Sequence, residues 1–119
     1  MLPAALTQEI TELHADICSA LADPRRILLL YALHQKPSNV GDLAKELNIS
    51  QPAASRHLNL LRERGIVSAQ RDGQTVVYTL TDVRIIQALD LLRAVLASKL
   101  KNQAVLMESI LSESTGETL

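Results

Sequence analysis

The sequence predicts an α+β chain that is mostly helical, with five helices and one two-stranded β-hairpin, and three observations predict it. First, hydrophobic residues make up 47% of 119 residues, yet Phe and Trp are absent and only Tyr31 and Tyr78 are aromatic. The core must be aliphatic, which favours packed helices. Second, apolar residues recur at spacings of three and four along most of the chain, but between Ile66 and Leu80 β-branched residues alternate or run together. Third, a helix end, a tight turn, a second helix and a hairpin follow one another from Leu47 to Thr81, which is the order of a winged helix-turn-helix.

The elements follow in turn. Leu6, Ile10, Leu13, Ile17, Ala20 and Leu21 form the apolar stripe of a first helix whose other face is polar and acidic. Asp23-Pro24 restarts the chain, Asp as N-cap and Pro in the first turn. The second helix, from Arg25 to about His34, is expected to bury Ile27, Leu28, Leu30, Tyr31 and Leu33, with His34 near its end as a favoured cation. Lys36-Pro37-Ser38-Asn39 breaks it. A short third helix through Val40, Leu43, Ala44 and Leu47 ends at Asn48, which tolerates a left-handed conformation. Ser50 caps the fourth helix, with Gln51 and Pro52 in its first turn. Ala54, Leu58 and Leu61 face inward and Gly65 stops it. Strands from Ile66 to Arg71 and Thr75 to Leu80 flank a hairpin signal at Asp72-Gly73.

The last helix starts at Thr81 or Asp82. From Ile85 to Ala97, ten of thirteen residues are apolar, so most of its circumference needs cover, and a second copy of the chain is the expected cover. The length fits one domain, 1–119: a winged core at 23–81, dimerisation helices at 1–22 and 82–111, and a frayed polar tail at 112–119.

Net charge is −1, but it is unevenly spread: residues 1–23 carry four acids and no base, and residues 102–119 carry three acids and no base. All twelve Lys and Arg therefore lie between Pro24 and Lys101 against six acids, leaving that stretch at +6. Local field, not the sum, attracts phosphate. No apolar run approaches the roughly 20 residues of a membrane span, no signal peptide opens the chain, and the single Cys18 excludes a disulfide framework and fits a reducing cytoplasm. No Gly-rich phosphate loop, nucleophile–base pair or carboxylate cluster supports an enzyme, and no cofactor is expected.

The outward residues of the fourth helix suit base reading. Arg56 has the fork for a bidentate contact to guanine and Gln51 the amide for adenine. Ser55 and Asn59 suit bases or phosphate, Ser50 and Gln51 open a helix N-terminus that suits phosphate, and Pro52 lies beside them. His57 adjoins this surface, to meet phosphate or pack against the wing. Arg71 and Gln74 at the hairpin tip suit the flanking minor groove or backbone. The alternative is a solvated helix face and an ordinary hairpin; the ordered succession of cap, turn, helix and wing favours the DNA reading.

Three segments carry a family resemblance: LADPRRILLLYAL before the helix-turn-helix, VGDLAKELNISQPAASRHLNLLRERGIV across it, and RDGQTVVYTL in the wing. Over about residues 17–100 the chain resembles the ArsR/SmtB group of bacterial winged-helix repressors. The resemblance implies a homodimer through the first and last helices, gripping an inverted repeat of double-stranded DNA. It also implies base-reading roles for Gln51, Pro52, Ser55 and Arg56, with Arg71 in the wing.

The family's sensing sites match poorly. A cysteine pair of the third helix falls on Asn39-Val40-Gly41, and an Asp-x-His pair of the last helix reads Asp82-Val83-Arg84, with Val95 and Ser98 one to two turns on. Family members that sense sulfur or oxidants use two cysteines. His14 and Cys18, at i and i+4, are the remaining soft-metal or thiol candidates; a small buried hydrophobe and a solvated histidine are the simpler readings. The expectation is a sequence-specific repressor without the usual metal sites. The alternative is a winged-helix protein-interaction or antitoxin-like dimer with no operator of its own.

Overall fold

The computed structural model describes residues 1–117, with side chains through residue 113. Helix α1 runs Ala4–Leu13 and continues through a π-helical turn, His14–Cys18, and a 3-10 turn, Ser19–Leu21. It is followed by α2 (Pro24–Gln35), β1 (Ser38–Asn39), α3 (Val40–Leu47), α4 (Gln51–Glu63), β2 (Val67–Asp72), β3 (Thr75–Leu80) and α5 (Arg84–Glu117). The chain divides into two compact units, Met1–Ile86 and the remainder of α5 from Gln87.

Local chemistry accounts for the boundaries. Asp23 accepts from Arg25 N at 2.8 Å with Pro24 opening α2, and Ser50 accepts from Ala53 N at 3.2 Å at the start of α4. Helix α3 stops at Asn48, whose φ of 54° is left-handed. Helix α4 stops at Gly65, φ 72°, where Gly65 N bonds Arg62 O and Ile66 N bonds Leu61 O. That reciprocal pair satisfies carbonyls a helix end leaves orphaned.

The sheet has three antiparallel strands in the order β1-β3-β2, one more than the hairpin expected. Two residues, Ser38 and Asn39, pair with Tyr78 and Val77 on the far side of β3. In the hairpin Asp72 pairs with Thr75, so the two-residue loop is Gly73-Gln74 and not Asp72-Gly73. Gly73, at φ 66°, takes the first loop position, where a positive φ is required.

The core of the first unit joins Leu29, Leu30 and Leu33 of α2, Leu43 and Ala44 of α3, Ala54, Leu58 and Leu61 of α4, and Val67 and Tyr78 of the sheet. One expected inward residue is displaced: Leu28 is 54% exposed and Leu29 is fully buried in its place. In α5, Asp82 Oδ1 accepts from Arg84 N at 2.9 Å and caps the helix. The 34-residue helix is about 51 Å long and keeps helical backbone through Glu117, across positions 112–117 expected to fray. Residues 118–119 of that expected tail lie outside the described residues. Leu91, Leu92, Val95, Leu96 and Leu100 are all exposed along it.

Candidate nucleic-acid interface

Helix α4 is held by its inward face, which leaves a polar one outside. Gln51, Pro52, Arg56, Asn59 and Arg62 are exposed on it, while Ser55 is half-buried. Arg71 and Gln74 are exposed at the end of the β2–β3 hairpin, on either side of Gly73. These residues therefore keep the solvent access that reading a duplex requires.

The N-terminus of α4 is more committed than the sequence suggests. Ser50 Oγ already takes the Ala53 N–H, and Pro52 has none, so Gln51 N–H is the donor of that turn left for an anion. The Gln51 side chain lies over the start of α3: a Cβ placed on Gly41 would sit 3.4 Å from Gln51 Nε2 and 3.3 Å from Asn39 Oδ1. A side chain at 41 would therefore press on these two amides, which glycine leaves undisturbed.

His57 does not belong to the exposed face. Its side chain is 15% exposed, with Nδ1 3.3 Å from Arg26 Nη1 and Nε2 4.0 Å from Asp23 Oδ2. Burial pushes its pKa below 6.5; Asp23 opposes that shift, and Arg26, Arg25 and Arg56 add to it. The Arg25 N–H bonded to Asp23 holds that carboxyl below its usual 3.8, aided by His57 and the neighbouring arginines.

Two residues that sequence reading passed over, Arg26 and Arg64, face inward and hold backbone carbonyls. Arg26 Nε donates to Ala20 O at 2.6 Å, and Arg64 Nη1 donates to Ala15 O at 2.5 Å and Asp16 O at 3.1 Å. Arg84 pairs with Asp82 at 2.6 Å and Arg93 with Asp90 at 3.3 Å. Arg25 lies 3.9 Å from Asp23, so several cations of the basic middle are engaged within the chain, whereas Arg56, Arg62 and Arg71 stand exposed on the helix face and wing.

The residues at the usual sensing positions do not fit a metal. Asn39 is spent as a cap, its Oδ1 accepting from Asp42 N at 2.8 Å, and both Asp82 oxygens are held by Arg84, which lowers the Asp82 pKa to about 2. A guanidinium at 84 repels a cation where a ligand is needed. His14 and Cys18 are exposed at the two ends of the π turn, and among the described residues no group of three or more His, Cys, Asp or Glu gathers around an ion-sized site.

A family model described as a bacterial regulatory protein, arsR family, matches residues 23–69. The nodulation protein NolR of Rhizobium meliloti is 38% identical over 81 residues, covering 68% of this chain and 66% of its own length, just under two thirds. An uncharacterized HTH-type transcriptional regulator of Mycobacterium tuberculosis, Rv0081, is 30% identical over 105 residues, 87% of this chain and 92% of that protein. The crystal structure of Rv0081 superposes with a TM-score of 0.71 at 31% identity, over 80% of this chain and 96% of that one. NolR from Sinorhizobium fredii gives 0.69 at 35% identity over the same shares. A homodimeric winged helix-turn-helix DNA-binding domain from Mycobacterium bovis, Mb0332, gives 0.71 at 24% identity, over 84% and 93%, and supports the fold alone.

Proposed function

The chain belongs to the arsR family of bacterial regulatory proteins, and from that premise we propose that it is a homodimeric, sequence-specific DNA-binding repressor. The observation that carries the proposal is the separation of faces on α4: Leu58 and Leu61 seal it to the core while Gln51, Arg56 and Asn59 stand in solvent. Each protomer would set α4 into a major groove, and two protomers would read half-sites one helical turn apart in an inverted repeat. Arg56 supplies the guanine-reading fork and Gln51 the amide, with Arg71 and Gln74 on the flanking backbone or minor groove. The occupant of the second place is a copy of this chain, because the exposed leucines and valines of α5 form an apolar surface too extensive to leave wet. The proposal assigns the chain no reaction of its own.

The test is selection of a preferred duplex from a randomised pool, followed by titration of that operator. Arg56→Ala is expected to weaken operator binding by about 1–3 kcal/mol, with the dimer intact by sedimentation. Selection that enriches no sequence, or an Arg56→Ala chain that binds the operator undiminished, would remove this reading.

A further inference from the structure

The π turn of α1 presents carbonyl oxygens to the far end of the recognition helix. In a regular α-helix the Ser19 N–H would bond Ala15 O; here it bonds His14 O, one residue further back. Arg64, the C-cap of α4, fills the vacated place: Nη1 reaches Ala15 O at 2.5 Å, Asp16 O at 3.1 Å and Ser19 Oγ at 3.0 Å. Ser19 Oγ itself donates to Ala15 O at 2.6 Å, closing a triangle around the guanidinium. Arg26 grips the next turn of the same segment, through Nε to Ala20 O at 2.6 Å and Nη2 to Ser19 O at 3.4 Å, and meets α4 at His57.

His57 and Arg64 are seven residues apart, two turns of helix and about 10.5 Å along its axis, so they project from one side. A rod fastened at one point can still roll and swing. Fastened at two points two turns apart, it has a fixed roll and tilt relative to its seat. Asn59 lies nearly opposite that side and Arg56 about a quarter turn round from it, both exposed, so the seat determines where those groups point. An arginine–carbonyl clamp suits this task, because one charged nitrogen held by two carbonyls and a hydroxyl is fixed in direction as well as distance.

We propose that Arg64 is a positioning residue for base reading: it anchors the recognition helix to the Ala15–Ser19 turn and thereby sets sequence discrimination without touching DNA. The inference rests on the DNA-reading function proposed above. Its signature differs from that of a phosphate contact. A positioning residue acts on the specific complex, whereas a lost phosphate contact weakens all duplexes alike and lowers the salt dependence.

The experiment titrates the selected operator and a scrambled duplex over a range of salt, with the full chain and its Arg64→Ala, Arg64→Lys, Ser19→Ala and Ser19→Ala/Arg64→Ala variants, and with Arg56→Ala as a control. Arg64→Ala is expected to lose about tenfold in operator affinity, within the range of residues sharing one hydrogen-bond network. Its affinity for the scrambled duplex and its salt slope should stay at the wild-type values. Ser19→Ala should show a smaller loss, the double variant no more than Arg64→Ala alone, and Arg64→Lys an intermediate discrimination. Should Arg64→Ala not fold, Arg64→Lys and Ser19→Ala carry the test by the same comparison. Equal losses on both duplexes with a salt slope lower by about 1 would make Arg64 a phosphate contact and overturn the inference. Unchanged operator affinity in the Arg64 variants, with Arg56→Ala impaired, overturns the inference alone. A wild-type chain that fails to discriminate operator from scrambled duplex overturns the DNA-reading function and this inference with it.

Discussion

Nδ1 of His57 on the recognition helix lies 3.3 Å from Nη1 of Arg26 on α2. Arginine only donates, so the contact requires an unprotonated Nδ1 and puts the ring's proton on Nε2, toward Asp23. A second proton would set a cation against the guanidinium. Burial is the first cause of the lowered pKa; Asp23 opposes it, and Arg26, Arg25 and Arg56 add to it. The unfolded chain takes up its proton near 6.5 while the folded chain does not. The stability is thus complete above 6.5 and is lost as pH falls from there through the folded value. Urea midpoints followed by circular dichroism are expected to fall between pH 7.5 and 5.5. In His57→Gln, whose amide oxygen can still accept from Arg26, that fall should be much reduced. A midpoint as pH-dependent as the wild type's would locate the titration elsewhere.

The adjacent leucines 28 and 29 should respond very differently to truncation. Leu29 is fully buried and Leu28 is 54% exposed. Leu29→Ala leaves a cavity in the core of the first unit and is expected to cost about 2–5 kcal/mol. Leu28→Ala should stay within about 0.5 kcal/mol. Denaturant unfolding of the two variants side by side measures the difference, and similar losses would contradict this helix register.

Punctuation was the legible part of this fold. Asp23-Pro24, Asn48, Ser50 and Gly65 each carry a local reason to start or stop a helix, and each sits where its backbone chemistry requires. What sequence could not show depends on partners distant along the chain. Ile27-Leu28-Leu29-Leu30 is an unbroken apolar run with no periodicity, so nothing local chooses Leu29 over Leu28 for the core. Two residues of β1 are too few to alternate, and their strand exists because β3 has a free edge. Nothing in the composition of His14–Cys18 announces a π turn; the Arg64 cation that occupies its carbonyls is 49 residues away from Ala15. His57 reads as part of the DNA surface until Asp23 and Arg26 arrive from α2. The outward face of α4 was legible because helical spacing sorts Ala54, Leu58 and Leu61 from Arg56 and Asn59; Gln51, seven residues before Leu58, is exposed because it opens the helix.

The turn of the helix-turn-helix puts a second stability test at Asn48, held at φ 54° between α3 and α4. A β-branched side chain is strongly disfavoured there, so Asn48→Val is expected to cost at least about 1–2 kcal/mol. Asn48→Gly removes the steric penalty and should change stability by no more than about 1 kcal/mol in either direction. Thermal or urea unfolding of both variants checks the ordering; a Val variant as stable as the Gly variant would mean the left-handed cap is not retained in solution.

The homodimer makes its sharpest prediction on α5, and the burial pattern decides which residues test it. Leu89 is already buried within one chain, so charging it would report on folding and leave association unresolved. Leu92 and Leu96, four residues apart on one side of α5, are 63% and 54% exposed. Charging them costs a lone chain little, since the new carboxylates stay in water. In a dimer sealed through this helix the same carboxylates are buried without partners, at several kcal/mol each. Leu92→Glu/Leu96→Glu is therefore expected to sediment as a folded monomer, with wild-type circular dichroism and a lost affinity for an inverted-repeat operator. A single half-site should bind the variant and the wild type with similar weak affinity, because each α4 is intact. A double variant that remains a dimer at micromolar concentration would place the interface away from this face of α5.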